Sequence, residues 1–249
     1  MKFQVVIPFL DLRWMLEDCL WSLGESDVPI LIVDNSINQE TKDPGFRDLV
    51  SKRGVDPEYE YFNENIGIAA SWNRGLMRGA DQTIIMSQTV RLAPAELPRR
   101  KEPWGLDHLC QMTEAYANEY GCTFGDQGYH LISIGKKTVD TIGYFDENFL
   151  AYGEDDDYGH RQNLAGIVMG GLHMGGEMEQ LGAFSIAFAV HQRMKTIHPP
   201  TRGIRDYYSH KWCSVDGEYP GDYKTPFNNP DKGLDYWPKV GSFYLETFG

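Results

Sequence analysis

Four acids stand in a row, Glu154, Asp155, Asp156 and Asp157, just after Gly153. Acids in the first turn of a helix lie at the positive end of its dipole and are stabilised there as anions. An anionic carboxylate at the mouth of a pocket is what a general base needs, since it must take a proton from a group within hydrogen-bond reach. On the run alone, a solvated helix start is the stronger account, because charge runs usually face water. A second polar set, Asp11, Asp34 and Asn35, follows two apolar runs. Asp11 reads either as a ligand contact or as the cap of the next helix. Asp34 and Asn35 read either as ligand contacts or as an Asx-type turn. A neutral triplet, Ser87-Gln88-Thr89, follows a third run, and a lone His173 follows a fourth.

The elements that must carry these residues are legible in outline. FQVVIPF (Phe3 to Phe9) is dense in β-branched residues and reads as a buried strand that Pro8 brings to its end. Leu12, Leu16, Cys19, Leu20 and Leu23 recur at helical spacing. Ile30 to Val33 is a second strand that runs into Asp34. Strand, helix and strand make a βαβ unit with a parallel sheet, in which ligands sit beyond the carboxyl ends of the strands. Thr41 to Arg53 reads as a surface helix, Tyr59 to Phe62 as a third strand, and Thr83 to Met86 as a fourth. Between the third and fourth, Asn63 to Leu76 combines an Asn/Gly turn with a helix opened by small residues, which let another backbone or a ligand approach closely. Residues 93–103 read as a crossover loop. Leu106 to Tyr120 reads as a helix that Gly121 stops. His130 to Ile134 reads as a strand, Lys136 to Ile142 as a short helix, the acidic stretch as a helix ending near Gly166, and Ile167 to His173 as the final strand. Beyond about residue 200 the chain is rich in Pro, Gly, Tyr and Trp, and reads as an irregular arm packed by its aromatics, since disordered segments are poor in them.

Composition bounds the classes. The 249 residues suit one large α/β domain or two small ones, with 41% hydrophobic and 24% charged residues. A formal charge of -13 argues against general nucleic-acid binding, which needs a basic face. The four cysteines, Cys19, Cys110, Cys122 and Cys213, form no CxxC pair and read as reduced thilos of a cytoplasmic protein rather than a zinc site. The start, MKFQVVIPFL, is too short an apolar run for a signal peptide. No segment approaches the ~20 apolar residues needed to cross a bilayer.

Five blocks, in order, then carry a resemblance: VVIPFLD, LIVDNS, NENIGIAASWNRGL, IGYFDENFLAYGEDDDYGHR and LHMGG, spanning roughly residues 3 to 176. The chain resembles the GT-A-fold inverting glycosyltransferases of the family 2 group. The resemblance implies a Rossmann-like, mostly parallel sheet flanked by helices, and transfer of a sugar from a nucleotide sugar, a UDP-sugar foremost, to a hydroxyl acceptor on a glycan or protein. It implies Asp155 as general base, with Glu154 second and Asp157 third. It gives Asp34 and Asn35 contacts to the nucleotide, Asp11 a contact to the base, and makes Asn65, Gly67 and Asn73 the frame of the nucleotide pocket. Ser87 and Gln88 line the sugar pocket as neutral donors. It also implies one catalytic domain over residues 1–200, with a nucleotide-binding half (1–98) and an acceptor half (99–200), and an extension over 201–249.

One departure matters. The family carries an acidic DxD-type motif after the fourth strand, where Mn²⁺ or Mg²⁺ holds the diphosphate; here Ser87-Gln88-Thr89 stands. Neutral oxygens are poor ligands for a hard cation. Three outcomes follow: catalysis without metal, a metal held elsewhere, with His173 as the candidate ligand, or lost activity. The alternative function is thus a catalytically silent nucleotide-sugar-binding module. A nucleotidyltransferase would share the layered fold, but would carry a Gly-rich basic loop near the first strand, and none is present.

Overall fold

The computed structural model describes residues 1–36, 38–62, 65–92, 105–124, 129–147, 149, 153–172 and 183–185. In chain order the elements are β1 (Phe3–Phe9), α1 (Arg13–Leu23), β2 (Ile30–Asp34), α2 (Pro44–Ser51), β3 (Glu58–Tyr61), α3 (Ile68–Leu76), β4 (Gln82–Met86), β5 (Val90–Leu92), α4 (Gly105–Tyr116), β6 (Gly121–Phe124), β7 (Leu131–Gly135), α5 (Lys136–Ile142), α6 (Glu154–Leu164), β8 (Gly170–Leu172) and β9 (Ala183–Ser185). Seven strands form one sheet in the order β3-β2-β1-β4-β7-β6-β8, while β5 and β9 form a small antiparallel pair. β3, β2, β1 and β4 pair in parallel. β7 alone runs against both of its neighbours, and β8 is parallel to β6. This mostly parallel, helix-flanked sheet is the GT-A-like, Rossmann-like class expected.

Strands buried on both faces are mostly apolar, and the polar side chains they carry must find partners. β2, β4 and β7 are buried along their whole length, and β1 at every residue but Pro8. Their side chains alternate between two cores. Val5, Ile7, Ile32 and Ile84 join α1 and α4 on one face. Val6, Leu31, Val33 and Ile85 meet α3, Phe145 and Tyr158 on the other. α3 lies tight against β1: a Cβ on Gly75 would sit 2.6 Å from the Val6 Cβ, closer than van der Waals contact allows. Gly75→Ala therefore forces α3 off the sheet, and is expected to lower stability by about 1–3 kcal/mol. A thermal melt reads this as a fall in Tm; an unchanged melt would show that α3 has room to shift.

At one edge of the sheet β3 is held from both sides. Tyr59 and Tyr61 stack with centroids 6.1 Å apart. The Arg47 guanidinium lies 4.7 Å from the Tyr59 centroid, and the Lys42 amine 4.4 Å from that of Tyr61. Glu58 and Glu60 point the other way, to Arg78 at 2.8 and 3.1 Å, and Glu60 also reaches Arg74 at 2.7 Å.

Some boundaries differ from expectation, each for a local reason. The helix expected over 41–53 is a 3-10 turn (Glu40–Lys42) and then α2, because Asp43 caps Phe46 N–H and Pro44 opens the helix. α4 ends at Tyr116, not Tyr120, and Gly121 opens β6 instead of stopping a helix. Asn118 and Gly121 exchange backbone hydrogen bonds at 3.2 and 3.1 Å and turn the chain there. The strand expected over 167–173 is only Gly170–Leu172, and it is not the last, since β9 follows it. Cys19, Cys110 and Cys122 are buried thiols. The crossover loop (93–103), the arm beyond 200, Cys213 and His173 lie outside the described residues. No helix among the described residues is long and apolar enough to cross a membrane.

Candidate active site

The strand order reverses between β1 and β4. In open α/β sheets, such a switch point leaves a crevice beyond the carboxyl ends. Asp11 and Gln88 meet there: Gln88 Nε2 donates to the Asp11 carbonyl at 2.6 Å, and Leu10 N–H donates to Gln88 Oε1 at 3.4 Å. The Asp11 carboxylate accepts from Leu12 N–H at 2.7 Å. Asp11 is thus not the cap of α1, whose N-cap is Leu12, in the left-handed region at φ 64°. Ser87 N–H donates to the His130 carbonyl at 2.7 Å, and its hydroxyl lies 2.9 Å from that of Thr89.

Next to β1, the end of β2 carries Asp34 and Asn35. Asp34 is fully buried. Its Oδ1 accepts from Ser36 N–H (2.8 Å) and hydroxyl (2.5 Å), and its Oδ2 from Thr41 N–H (3.1 Å) and hydroxyl (2.5 Å). The Asx-type turn weighed for Asp34 is present, and its carboxylate ties Ser36 and Thr41 together. Asn35 donates to Ser71 Oγ at 2.9 Å and accepts from Ile66 N–H at 3.3 Å, which ties β2 to the start of α3. Asn65 accepts from Gly67 N–H at 2.9 Å, and Gly67 adopts φ 87°, where a side chain is disfavoured. Asn73, further along α3, spans to the segment before the acidic run. Its amide donates to the Phe145 carbonyl (2.9 Å) and to Glu147 (2.8 Å), and its oxygen accepts from Phe145 N–H (2.9 Å).

α3 therefore joins the polar loop at the end of β2 to the segment that leads into the acidic helix. Trp72 packs on Phe145 (5.0 Å between centroids) and Tyr129 (6.1 Å), and Phe145 stacks on Tyr158 of α6 at 4.0 Å. Trp72 is 3% exposed and so belongs to the core. Tyr129 OH donates to Gln162 of α6 at 3.3 Å. Burial, then Tyr158 and Asp155, hold the Tyr129 hydroxyl above its usual range, so this ring feels the charge of Asp155.

Within α6 the helical period sorts the acids. Glu154, Asp157, Tyr158, Arg161 and Gln162 face inward, while Asp155 is half-buried and Asp156 exposed. Gly153, in the left-handed region at φ 85°, starts the helix with no side-chain cap. Asp157 is taken up by Arg161 at 3.0 Å; both are essentially inaccessible. Arg161 also donates to the carbonyls of Ile142 (2.7 Å) and Tyr144 (2.8 Å). The spacing of four between Asp157 and Arg161 is a readable signal for that pair. Nothing in the sequence marks Ser71, Tyr129 or Glu147, whose contacts lie far along the chain.

Glu154 is 6% exposed, and its Oε2 has no hydrogen-bond partner among the described residues. Burial, and after it the charge of Asp155, raise its pKa from the ordinary 4.5 to about 8. At neutral pH it is a neutral acid beside Asp155. The folded chain keeps a proton that the unfolded chain releases above about 4.5, so stability falls as pH rises from there to about 8 and is level beyond. The slope is at most about 1.4 kcal/mol per pH unit. Glu154→Gln cannot titrate. Its Tm relative to the parent chain is expected to climb across that window; a constant difference would contradict the burial of this carboxyl.

A divalent cation does not fit the expected place. Ser87, Gln88 and Thr89 offer no carboxylate, and their polar groups are engaged as above. Among the described residues, no three His, Cys, Asp or Glu gather as a metal site.

No model of a known protein family matches the chain, and no curated protein matches it. Solved structures similar to it include S. aureus TarS residues 1–349, at 12% identity and TM-score 0.49, covering 70% of this chain and 60% of that one. The same TarS fragment in complex with UDP-GlcNAc matches at 12% identity and TM-score 0.47, covering 79% and 65%. The mannosyltransferase PcManGT from Pyrobaculum calidifontis, in complex with GDP-Man and Mn²⁺, matches at 13% identity and TM-score 0.44, covering 70% and 55%. The chain thus spans less than two thirds of the length of these proteins.

Proposed function

We propose that this chain is a glycosyltransferase that moves a sugar from a nucleotide sugar, a UDP-sugar foremost, to a hydroxyl acceptor with inversion at the anomeric carbon. One observation carries the reading: α3 ties the polar loops at the strand ends (Asn35 through Ser71) to the segment that leads into the acidic helix (Phe145 and Glu147 through Asn73). In this reading residues 1–98 bind the nucleotide and residues 99–200 bind the acceptor.

The nucleotide lies in the crevice framed by Asp11, Asp34, Asn35, Asn65, Gly67 and Asn73, with the sugar toward Ser87 and Gln88. The acceptor hydroxyl attacks the anomeric carbon as the bond from that carbon to the diphosphate oxygen breaks, and its proton passes to Asp155. Glu154, a neutral acid, donates a hydrogen bond that orients the acceptor. Asp157 touches no substrate; with Arg161 it sets the rotation of α6 and so the direction of Asp155.

The test is a thermal-shift series with UDP, GDP, UDP-GlcNAc and GDP-Man. A ligand that binds only the folded state at a hundredfold over its Kd adds about 2.7 kcal/mol. No shift with any of them would sink the reading. A second reading, a silent nucleotide-sugar-binding module, is favoured by the neutral residues 87–89. It predicts a shift without donor hydrolysis or transfer.

A further inference from the structure

We infer that this chain takes the diphosphate of its nucleotide without a divalent cation, and that Gln88, standing where a metal-binding acid would be, is instead a positioning residue for the loop between β1 and α1. The inference rests on the nucleotide-sugar reading above. A hard cation such as Mg²⁺ or Mn²⁺ gathers about six oxygen ligands, with carboxylates among them. At the switch-point crevice the residues in the metal-motif position, 87–89, bring only neutral oxygens, and these take part in hydrogen bonds within the chain. Ser87 and Thr89 hydroxyls face each other at 2.9 Å, and Ser87 Oγ also accepts from Thr89 N–H at 3.3 Å. Asp11 is engaged by Leu12 N–H, and Asp34 receives four hydrogen bonds.

Gln88 has a different task. Its amide both donates to and accepts from the backbone of Leu10 and Asp11, a two-point clasp that a carboxylate could not make, because a carboxylate has no donor. The loop it clasps holds Leu12 at φ 64°, in the left-handed region that a residue with a Cβ disfavours. The clasp sits at the far end of that loop from α1, and together with the Asp11–Leu12 bond it keeps the strained turn in one form.

Nucleotide binding by calorimetry, in EDTA and in Mn²⁺, tests the first half. UDP and GDP are expected to bind with Kd values within about a factor of two in the two buffers. The electron paramagnetic resonance signal of Mn²⁺ is expected to fall no further with protein plus nucleotide than with nucleotide alone. Binding seen only with Mn²⁺, or a further loss of that signal, overturns the inference and leaves the nucleotide-sugar reading standing. Failure of both nucleotides in both buffers overturns that reading, and the inference falls with it. Gln88→Ala tests the second half. Losing a clasp of two hydrogen bonds is expected to raise the Kd roughly five- to thirtyfold in both buffers alike, with faster hydrogen exchange at residues 10–12. An unchanged Kd overturns the positioning role, and a loss confined to Mn²⁺ buffer overturns the metal-free one. Gln88→Glu, which keeps the shape but lacks the donor, separates the clasp from mere bulk: it too is expected to bind more weakly, and parent-like affinity counts against the clasp.

Discussion

Asp155→Asn is expected to slow sugar transfer and donor hydrolysis by about 10²–10⁴-fold, the usual worth of a positioned general base. The substitution keeps the size and the first-turn position of the side chain but removes its capacity to take a proton. Asp155 is half-buried, and its Oδ1 accepts from the next backbone N–H, that of Asp156, at 2.9 Å, a bond that the amide oxygen of Asn can keep, so the amide fits with little change to α6. The variant should therefore melt close to the parent chain and bind UDP as tightly. It should also lower the pKa of Glu154, because the Asp155 charge is the second largest cause of that shift. Full activity in Asp155→Asn would move the base elsewhere. Asp156→Asn, on the exposed side of the same turn, is the control and should leave transfer unchanged.

The largest loss of stability is expected at Arg161. Arg161→Ala strands the Asp157 carboxylate in the core and leaves the Ile142 and Tyr144 carbonyls without their donor. Breaking a buried pair from one side costs about 3–5 kcal/mol, because the remaining charge stays desolvated. For a chain of this size that is a fall in Tm of roughly 6–20 °C. The double variant Arg161→Leu with Asp157→Leu removes both charges, and should recover part of the loss while remaining short of the parent. If Arg161→Ala melts like the parent, water reaches the pair and α6 is looser than described.

Elements that answer to one local rule were readable in the sequence. β1, β2, β4 and β7 are mostly apolar runs because helices cover both faces, broken by Gln4, Asp34, Gln82, Thr83 and Ser133, and α5 follows directly on β7. Asp43-Pro44 announced the true start of α2, and the helix drawn through it overrode a cap and a proline that were in plain view. β5, β6 and β9 have only three or four residues, too few for a period to show. At the site, the sequence gathered Asp11, Asp34, Asn35, Asn65, Gly67, Asn73 and the acids of α6 as candidates. It had no means of telling which acid is buried, since helix phase follows from Phe145 and Tyr129 packing against Tyr158. The grip of Gln88 on Leu10 and Asp11 crosses 78 and 77 positions, and no local pattern encodes it.

The tyrosine and arginine stacks along β3 have a consequence for behaviour at high protein concentration. An outermost ribbon with open main-chain donors and acceptors invites a second molecule to extend the sheet. Here any newcomer would have to lie between two flanks of charge, with Arg47 and Lys42 over the rings on one side and Glu58, Glu60, Arg74 and Arg78 on the other. The side chains that fasten this ribbon to its own molecule thereby also guard it against self-association.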